Sequence, residues 1–172
     1  MDAATTGPLS RSGHLARRFV VSLWPGGPSA ESEAWVRSHL LAGEITLWDR
    51  LSGPDRRHSV AVARRVDVML VDPGRPVLAA ALLHDVGKVN SGLGTLARVV
   101  ATVVGMVGGR RARTASGRIG RYLRHPDIGA GLLAEAGSDT LTMVWAGEHH
   151  RPPQNWTVDP VIAGALHAAD DD

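Results

Sequence analysis

Residues 77–83 read Val-Leu-Ala-Ala-Ala-Leu-Leu, a run without a single polar side chain. Alanine and leucine favour helix, and a helix that is apolar on every face must be enclosed by other elements. The run therefore predicts a central helix over residues 77–86. Elsewhere no stretch keeps a clean period of two bounded by hairpin turns. The expected fold class is all-α, a bundle gathered around this helix.

The flanking sequence supplies its neighbours. Ser29 or Ser32 can cap a helix running to about residue 41, with Trp35, Leu40 and Leu41 inward. Ile45, Leu47, Trp48 and Leu51 make another short apolar face. Gly53-Pro54-Asp55 turns the chain into a helix carrying His58, Val60, Val62, Val66, Met69 and Leu70. Further helices are expected over residues 116–123, 126–136 and 138–149, and from Asp159-Pro160 to Asp170. Gly137 is placed to end one of them, and Pro152-Pro153 breaks another. Gly87 is expected to let the end of the central helix turn. Residues 1–53 are expected to form an N-terminal extension, disordered at first and then helical. Residues 54–172 form the main domain.

Residues 93–109 are nearly all apolar but short of the ~20 needed to cross a bilayer. They predict a buried or half-buried helix. The competing reading is a membrane-surface helix over residues 93–113, giving weak membrane contact.

Composition excludes several kinds of chemistry. The 172 residues include no cysteine, which removes thiol catalysis, disulfides and Cys-based zinc sites. Arg17-Arg18 precedes an apolar run too short for a signal peptide, so a cytoplasmic protein is expected. The net charge is only +2 although the pI is 9.9. Arginines cluster at 56–57, 64–65, 110–113 and 118–124. They read either as solvated faces or as an electropositive rim that attracts an anion. Stable nucleic-acid binding is not expected, because aromatics are too few for a stacking platform.

The one lysine of the chain, Lys88, lies in Leu82-Leu83-His84-Asp85-Val86-Gly87-Lys88. Every other strong base is arginine. A lysine is a compact point charge where arginine is a planar fork, so its place beside His-Asp suggests phosphate held next to a metal. His58, His84-Asp85, His125, His149-His150 and Asp170 all fall near expected helix ends. Ligands from several helix ends can converge on one bundle cavity. Taken singly, each has a structural explanation: His58 on an amphipathic helix, His125 as a cap, His149-His150 as exposed polar residues. Taken together, imidazole and carboxylate without thiolate suit Fe, Mn, Zn, Ni or Co, and Mg where carboxylate and water dominate. A carboxylate bridging two ions ~3.5–4 Å apart generates hydroxide and stabilises an in-line phosphoryl displacement.

These segments resemble the HD-domain superfamily of all-α metal-dependent phosphohydrolases, in particular its HDIG branch, close to the HD-GYP proteins. Arg57-His58-Ser59 resembles the first family histidine on its helix, and His84-Asp85-Val86-Gly87-Lys88 the signature. Arg124-His125-Pro126-Asp127-Ile128-Gly129 is similar to the family's His-Pro helix, Glu148-His149-His150 to its paired histidines, and Ile162-Ala163 through Ala169-Asp170 to its last helix. Arg151-Pro152-Pro153 stands where HD-GYP proteins continue with Gly-Tyr-Pro. The resemblance implies that His58, His84, Asp85 and Asp170 form a four-ligand core. His125 with His149, His150 or both adds a second metal, and Asp85 bridges. Asp171 and Asp172 are alternatives to Asp170. Lys88, with Arg151, contacts substrate phosphate. His167 is expected to be structural.

The expected function is hydrolysis of a phosphomonoester or phosphodiester, of a nucleotide or another phosphorylated small molecule, by a metal-activated hydroxide. The cofactor is a divalent metal, binuclear, with Fe or Mn first. The alternative is a non-catalytic signalling or metal- or nucleotide-sensing module of the same fold, with or without membrane contact.

Overall fold

The computed structural model describes residues 26–90 and 117–171. The expected valine-rich helix at 93–109 and the first residues of the chain lie outside them. Every regular element among the described residues is helical. They are α1 (Ala30–Ser38), α2 (Ala42–Trp48), α3 (Gly53–Met69), α4 (Gly74–Leu83), a 3₁₀ turn (Val86–Asn90), α5 (Arg118–Leu123), α6 (His125–Glu135), α7 (Thr140–Glu148), a second 3₁₀ turn (Pro153–Asn155) and α8 (Pro160–Asp171).

The apolar run is central, as its composition requires. Residues 77–83 of α4 are all buried, and α4 packs between α3 and α7. It is shorter than the sequence suggests: α-helical backbone stops at Leu83 and resumes as 3₁₀ at Val86. Hydrophobic periodicity alone does not separate these two helix types over a few residues. On α3, Val60, Val62 and Val66 face the core, but Met69 is exposed at the last turn. Leu70, just beyond it, is half-buried against the core.

Caps explain several boundaries. The Ser29 hydroxyl accepts the Ser32 N–H at α1, and Ser52 does the same for Asp55 at α3. Asp159 accepts from Val161 and Ile162 at α8. α6 ends in a Schellman pattern: Gly137 N–H bonds to Ala134 O and Ser138 N–H to Leu133 O. That geometry needs the left-handed φ of +74° seen at Gly137.

α1 and α2 share the core. Val36 and Trp48 are fully buried, and Trp48 Nε1 donates to Glu33, which also holds Arg56 of α3 at 3.0 Å. α2 lies directly on the end of α6, because a Cβ on Gly43 would come 2.2 Å from Ala136 O. The buried Glu44 accepts the Leu41 N–H. Arg75 joins Glu44 to Asp139 across this contact.

Candidate metal centre

Asp85 sits in the joint between α4 and the first 3₁₀ turn, with 6 % of its surface exposed. Its Oδ1 is 3.2 Å from His125 Nε2 and 3.6 Å from His149 Nε2. Its Oδ2 is 3.4 Å from His84 Nε2 and is also paired with the Lys88 ammonium. Asp170 Oδ1 lies 2.8 Å from His58 Nε2 and 3.7 Å from His84 Nε2. His150 Nε2, at the exposed rim, is 3.2 Å from His125 Nε2. The side chains fall into two groups, His58–His84–Asp85 and Asp85–His125–His149–His150, each with potential ligand atoms within 4.8 Å of one another. Asp85 belongs to both, and Asp170 adjoins the first.

The helix ends aim these rings. The last four carbonyls of an α-helix have no partner inside the helix. His84 Nδ1 reaches Ala81 O at 2.9 Å, His125 Nδ1 reaches Tyr122 O at 2.7 Å, and His149 Nδ1 reaches Ala146 O at 2.9 Å. A carbonyl can only accept, so each Nδ1 carries the proton. In the neutral ring the lone pair is then on Nε2, the atom that faces Asp85. One repeated device satisfies an orphan carbonyl at the ends of α4, α5 and α7 and fixes the tautomer a metal ligand needs.

Electrostatics keep the charges in place. Burial works to raise the Asp85 pKa, but Lys88 and His84 outweigh it and hold the carboxyl well below its usual range. Burial works to lower His84, yet Asp85 and Asp170 push it up to about 9. Lys88 is raised, because Asp85 and Tyr122 overcome its burial; it is a fixed cation rather than a base. Asp170 is depressed despite burial, by its bond to His58 and the nearby His84. Burial lowers His149. His150 is lowered as well, by desolvation and the neighbouring His149 and His125 rings.

Gly87 has a different role from the expected turn. Its φ is not left-handed. A Cβ there would lie 1.9 Å from His125 O and 2.7 Å from Gly129 N. The two glycines let the 3₁₀ turn touch the start of α6, which brings His125 onto Asp85. Pro126, at the second position of α6, lacks an N–H where none is needed.

The structure gathers His58, His84, Asp85, His125, His149, His150, Asp170 and Lys88 at one place. Asp171 instead turns outward to His167 at 3.3 Å and is mostly exposed, and Asp172 lies outside the described residues. His167 also packs edge-on against Trp156, away from both ligand groups. Arg151 is half-exposed and held on Glu148 at 3.5 Å rather than within either group. Glu148 itself carries a role the sequence reading did not assign. Its buried carboxylate accepts the Thr157 N–H at 2.7 Å and the Thr157 hydroxyl at 2.9 Å. This closes the loop that follows the paired histidines, and Trp156 Nε1 adds a bond to Arg151 O. The signal available was an acid directly before His149-His150.

The donor set fits a divalent cation. Among the described residues no hydrogen-bond partner reaches His84 Nε2, His149 Nε2 or Asp85 Oδ1, all buried. Cations shared between these atoms would satisfy all of them, and imidazole with carboxylate suits first-row divalent metals. No described helix is long and apolar enough to cross a membrane.

A family model described as the HD domain matches residues 56–171, about two thirds of the chain. No significant match was found among curated proteins or among solved structures.

Proposed function

The chain belongs to the HD domain family, and from that premise we propose that it is a metal-dependent phosphohydrolase acting on a phosphomonoester or phosphodiester, of a nucleotide in the first instance. The observation that most supports this reading is the set of imidazoles whose Nε2 atoms converge on a single buried carboxylate. His58, His84, Asp85 and Asp170 would hold one ion, and Asp85, His125, His149 and His150 a second, with Fe or Mn as the leading candidates. When bound, such ions acidify water and neutralise charge developing on phosphorus oxygens.

The side chains divide the remaining work. Asp85 stays a carboxylate through Lys88 and His84, so it would serve as a ligand and does not supply a proton. Lys88 Nζ is a permanent cation paired with Asp85; in this reading it holds a phosphate oxygen and steadies it during attack by water. Arg151, next in sequence to His150 and half-exposed, offers a second cation to the part of the substrate nearer solvent. The net reaction replaces an ester P–O bond with a P–OH bond from water. No side-chain nucleophile is required. The presence of every ligand type, with the lysine beside them, favours catalysis over a sensing module, which would function without Lys88.

The test is elemental analysis of anaerobically purified protein beside Asp85→Ala, followed by a nucleotide and phosphodiester screen with the metal found. About two equivalents per chain, lost in the variant, with phosphate release from at least one substrate, would bear the proposal out. Full metal occupancy with no hydrolysis of any phosphoester would turn the reading toward sensing.

A further inference from the structure

Asp170 is a ligand candidate in an unfavourable place. It lies in the last described turn of α8. Helix ends fray, and their final carbonyls lack internal partners. Yet Asp170 Oδ1 is held 2.8 Å from His58 Nε2, and metal sites need their ligands placed within roughly 0.5 Å. A contact that fixes this turn also fixes the ligand candidate.

α3 supplies it. Arg65 lies seven residues after His58 on the same helix, two turns on and therefore on the same face. Its Nη1 donates a 3.0 Å hydrogen bond to Ala169 O, the carbonyl immediately before Asp170. Ala169 is itself fully buried, so solvent cannot easily satisfy that carbonyl instead. Arg65 is half-buried, which strengthens the bond relative to a surface contact. One helix thus contributes both a ligand candidate, His58, and a clamp on the segment that carries its partner, Asp170. α3 and α8 are packed neighbours.

We infer that Arg65 is a positioning residue for the first metal, winding the last turn of α8 so that Asp170 is presented beside His58 and His84 before any ion arrives. The inference rests on the reading of the His/Asp cluster as a metal centre. It concerns only the His58–His84–Asp85–Asp170 side; the Asp85–His125–His149–His150 side has no contact with Arg65 among the described hydrogen bonds and ion pairs. The consequence is selectivity: loss of Arg65 weakens one metal and spares the other.

The experiment uses the full chain, wild type beside Arg65→Ala, Arg65→Gln and Arg65→Lys. Stepwise affinities for Mn(II) are measured by competition with a chelator, and amide hydrogen exchange over residues 166–171 is measured on metal-free protein. Arg65→Ala is expected to weaken one of the two stepwise affinities by about 10–100-fold, the range for loss of a partner behind a metal ligand, and to leave the other within about twofold. Exchange over residues 166–171 is expected to quicken by more than tenfold, with both effects largely restored in Arg65→Lys. Arg65→Gln, which keeps a donor without the charge, is expected to fall between. A general packing defect would lower both affinities together and speed exchange across α3 and α4 as well, which would overturn the inference. So would unchanged exchange at residues 166–171. If wild type bound no metal, the proposed function would fail, while the exchange data would still decide whether Arg65 winds the last turn of α8.

Discussion

Gly87→Ala should dismantle one side of the metal centre while leaving most of the helical core intact. An added Cβ would stand 1.9 Å from His125 O, where real Cβ contacts essentially never fall below 3.0 Å. The opposing atoms are backbone, so no side chain can swing aside. The 3₁₀ turn and the start of α6 must separate by about 1.1 Å, the difference between those two distances. Asp85 stays with the turn and His125 moves with α6, so their 3.2 Å approach opens toward about 4.3 Å. Metal–ligand distances tolerate only ~0.2 Å of deviation. Overpacking of this kind costs about 1–3 kcal/mol. For a chain of this length, 2 kcal/mol lowers Tm by about 4–8 °C. Calorimetry on metal-free protein and chelator-competition titration read the two effects separately. Gly131→Ala, on the same helix with nothing within 4 Å of its Cβ, is the control and should be neutral or slightly stabilising. A Gly87→Ala protein with wild-type Tm and full metal affinity would refute the contact argument.

Four further outcomes follow from the same geometry. Asp85→Ala should abolish metal uptake and hydrolysis together, because both ligand groups share that carboxylate; retention of either by elemental analysis and assay would remove Asp85 from the bridging role. Lys88→Ala should keep the metal but lower kcat/KM by at least tenfold, and unchanged kinetics would show that Lys88 does not touch substrate. Because His84 is raised to about 9 in the metal-free protein, an incoming ion must displace its proton. Affinity should rise about tenfold per pH unit from 7 to 9, with about one proton released per chain in calorimetry at pH 7.5. The linked stability of metal-free protein is fully present below pH 6.5 and is lost as pH rises through about 9; absence of proton release would contradict this. Glu148→Gln should loosen the 151–157 loop, seen as faster proteolysis or exchange there, and weaken the ion held by His149 and His150 more than the other.

The residues that cluster were legible in the sequence because imidazole and carboxylate near helix ends are visible as residue types. The grouping of His58, His84, Asp85, His125, His149 and Asp170 came from the resemblance to the HD-domain superfamily, and the structure brings these side chains together. The architecture was legible for a similar reason: residues 77–83 could only be interior. What escaped were relations between backbone atoms. Nothing in the sequence says that Gly87 touches the carbonyl of His125, or that three Nδ1 atoms reach back to carbonyls three residues earlier. Arg65 looked like any member of an arginine pair, since its partner is the peptide oxygen of a distant alanine. The stop of α4 at Leu83 was hidden because Val86 continues the apolar pattern through a tighter helix. Met69 followed the helical period yet is exposed at the last turn of α3.

The helix directions have a consequence for the order of binding. The C-terminal turns of α4, α5, α7 and α8 all meet at the cluster, through Ala81, Tyr122, Ala146 and Asp170. The end of a long helix carries roughly half a negative elementary charge, and short helices less. Phosphate-binding folds point the opposite, positive ends of their helices at the ligand. Here four negative helix ends outnumber the one positive end, that of α6 at His125, which favours a cation, with Lys88 already engaged by Asp85. Under the proposed function, a phosphate ester is therefore expected to bind more tightly once metal is present, an order that binding measurements with and without metal would check.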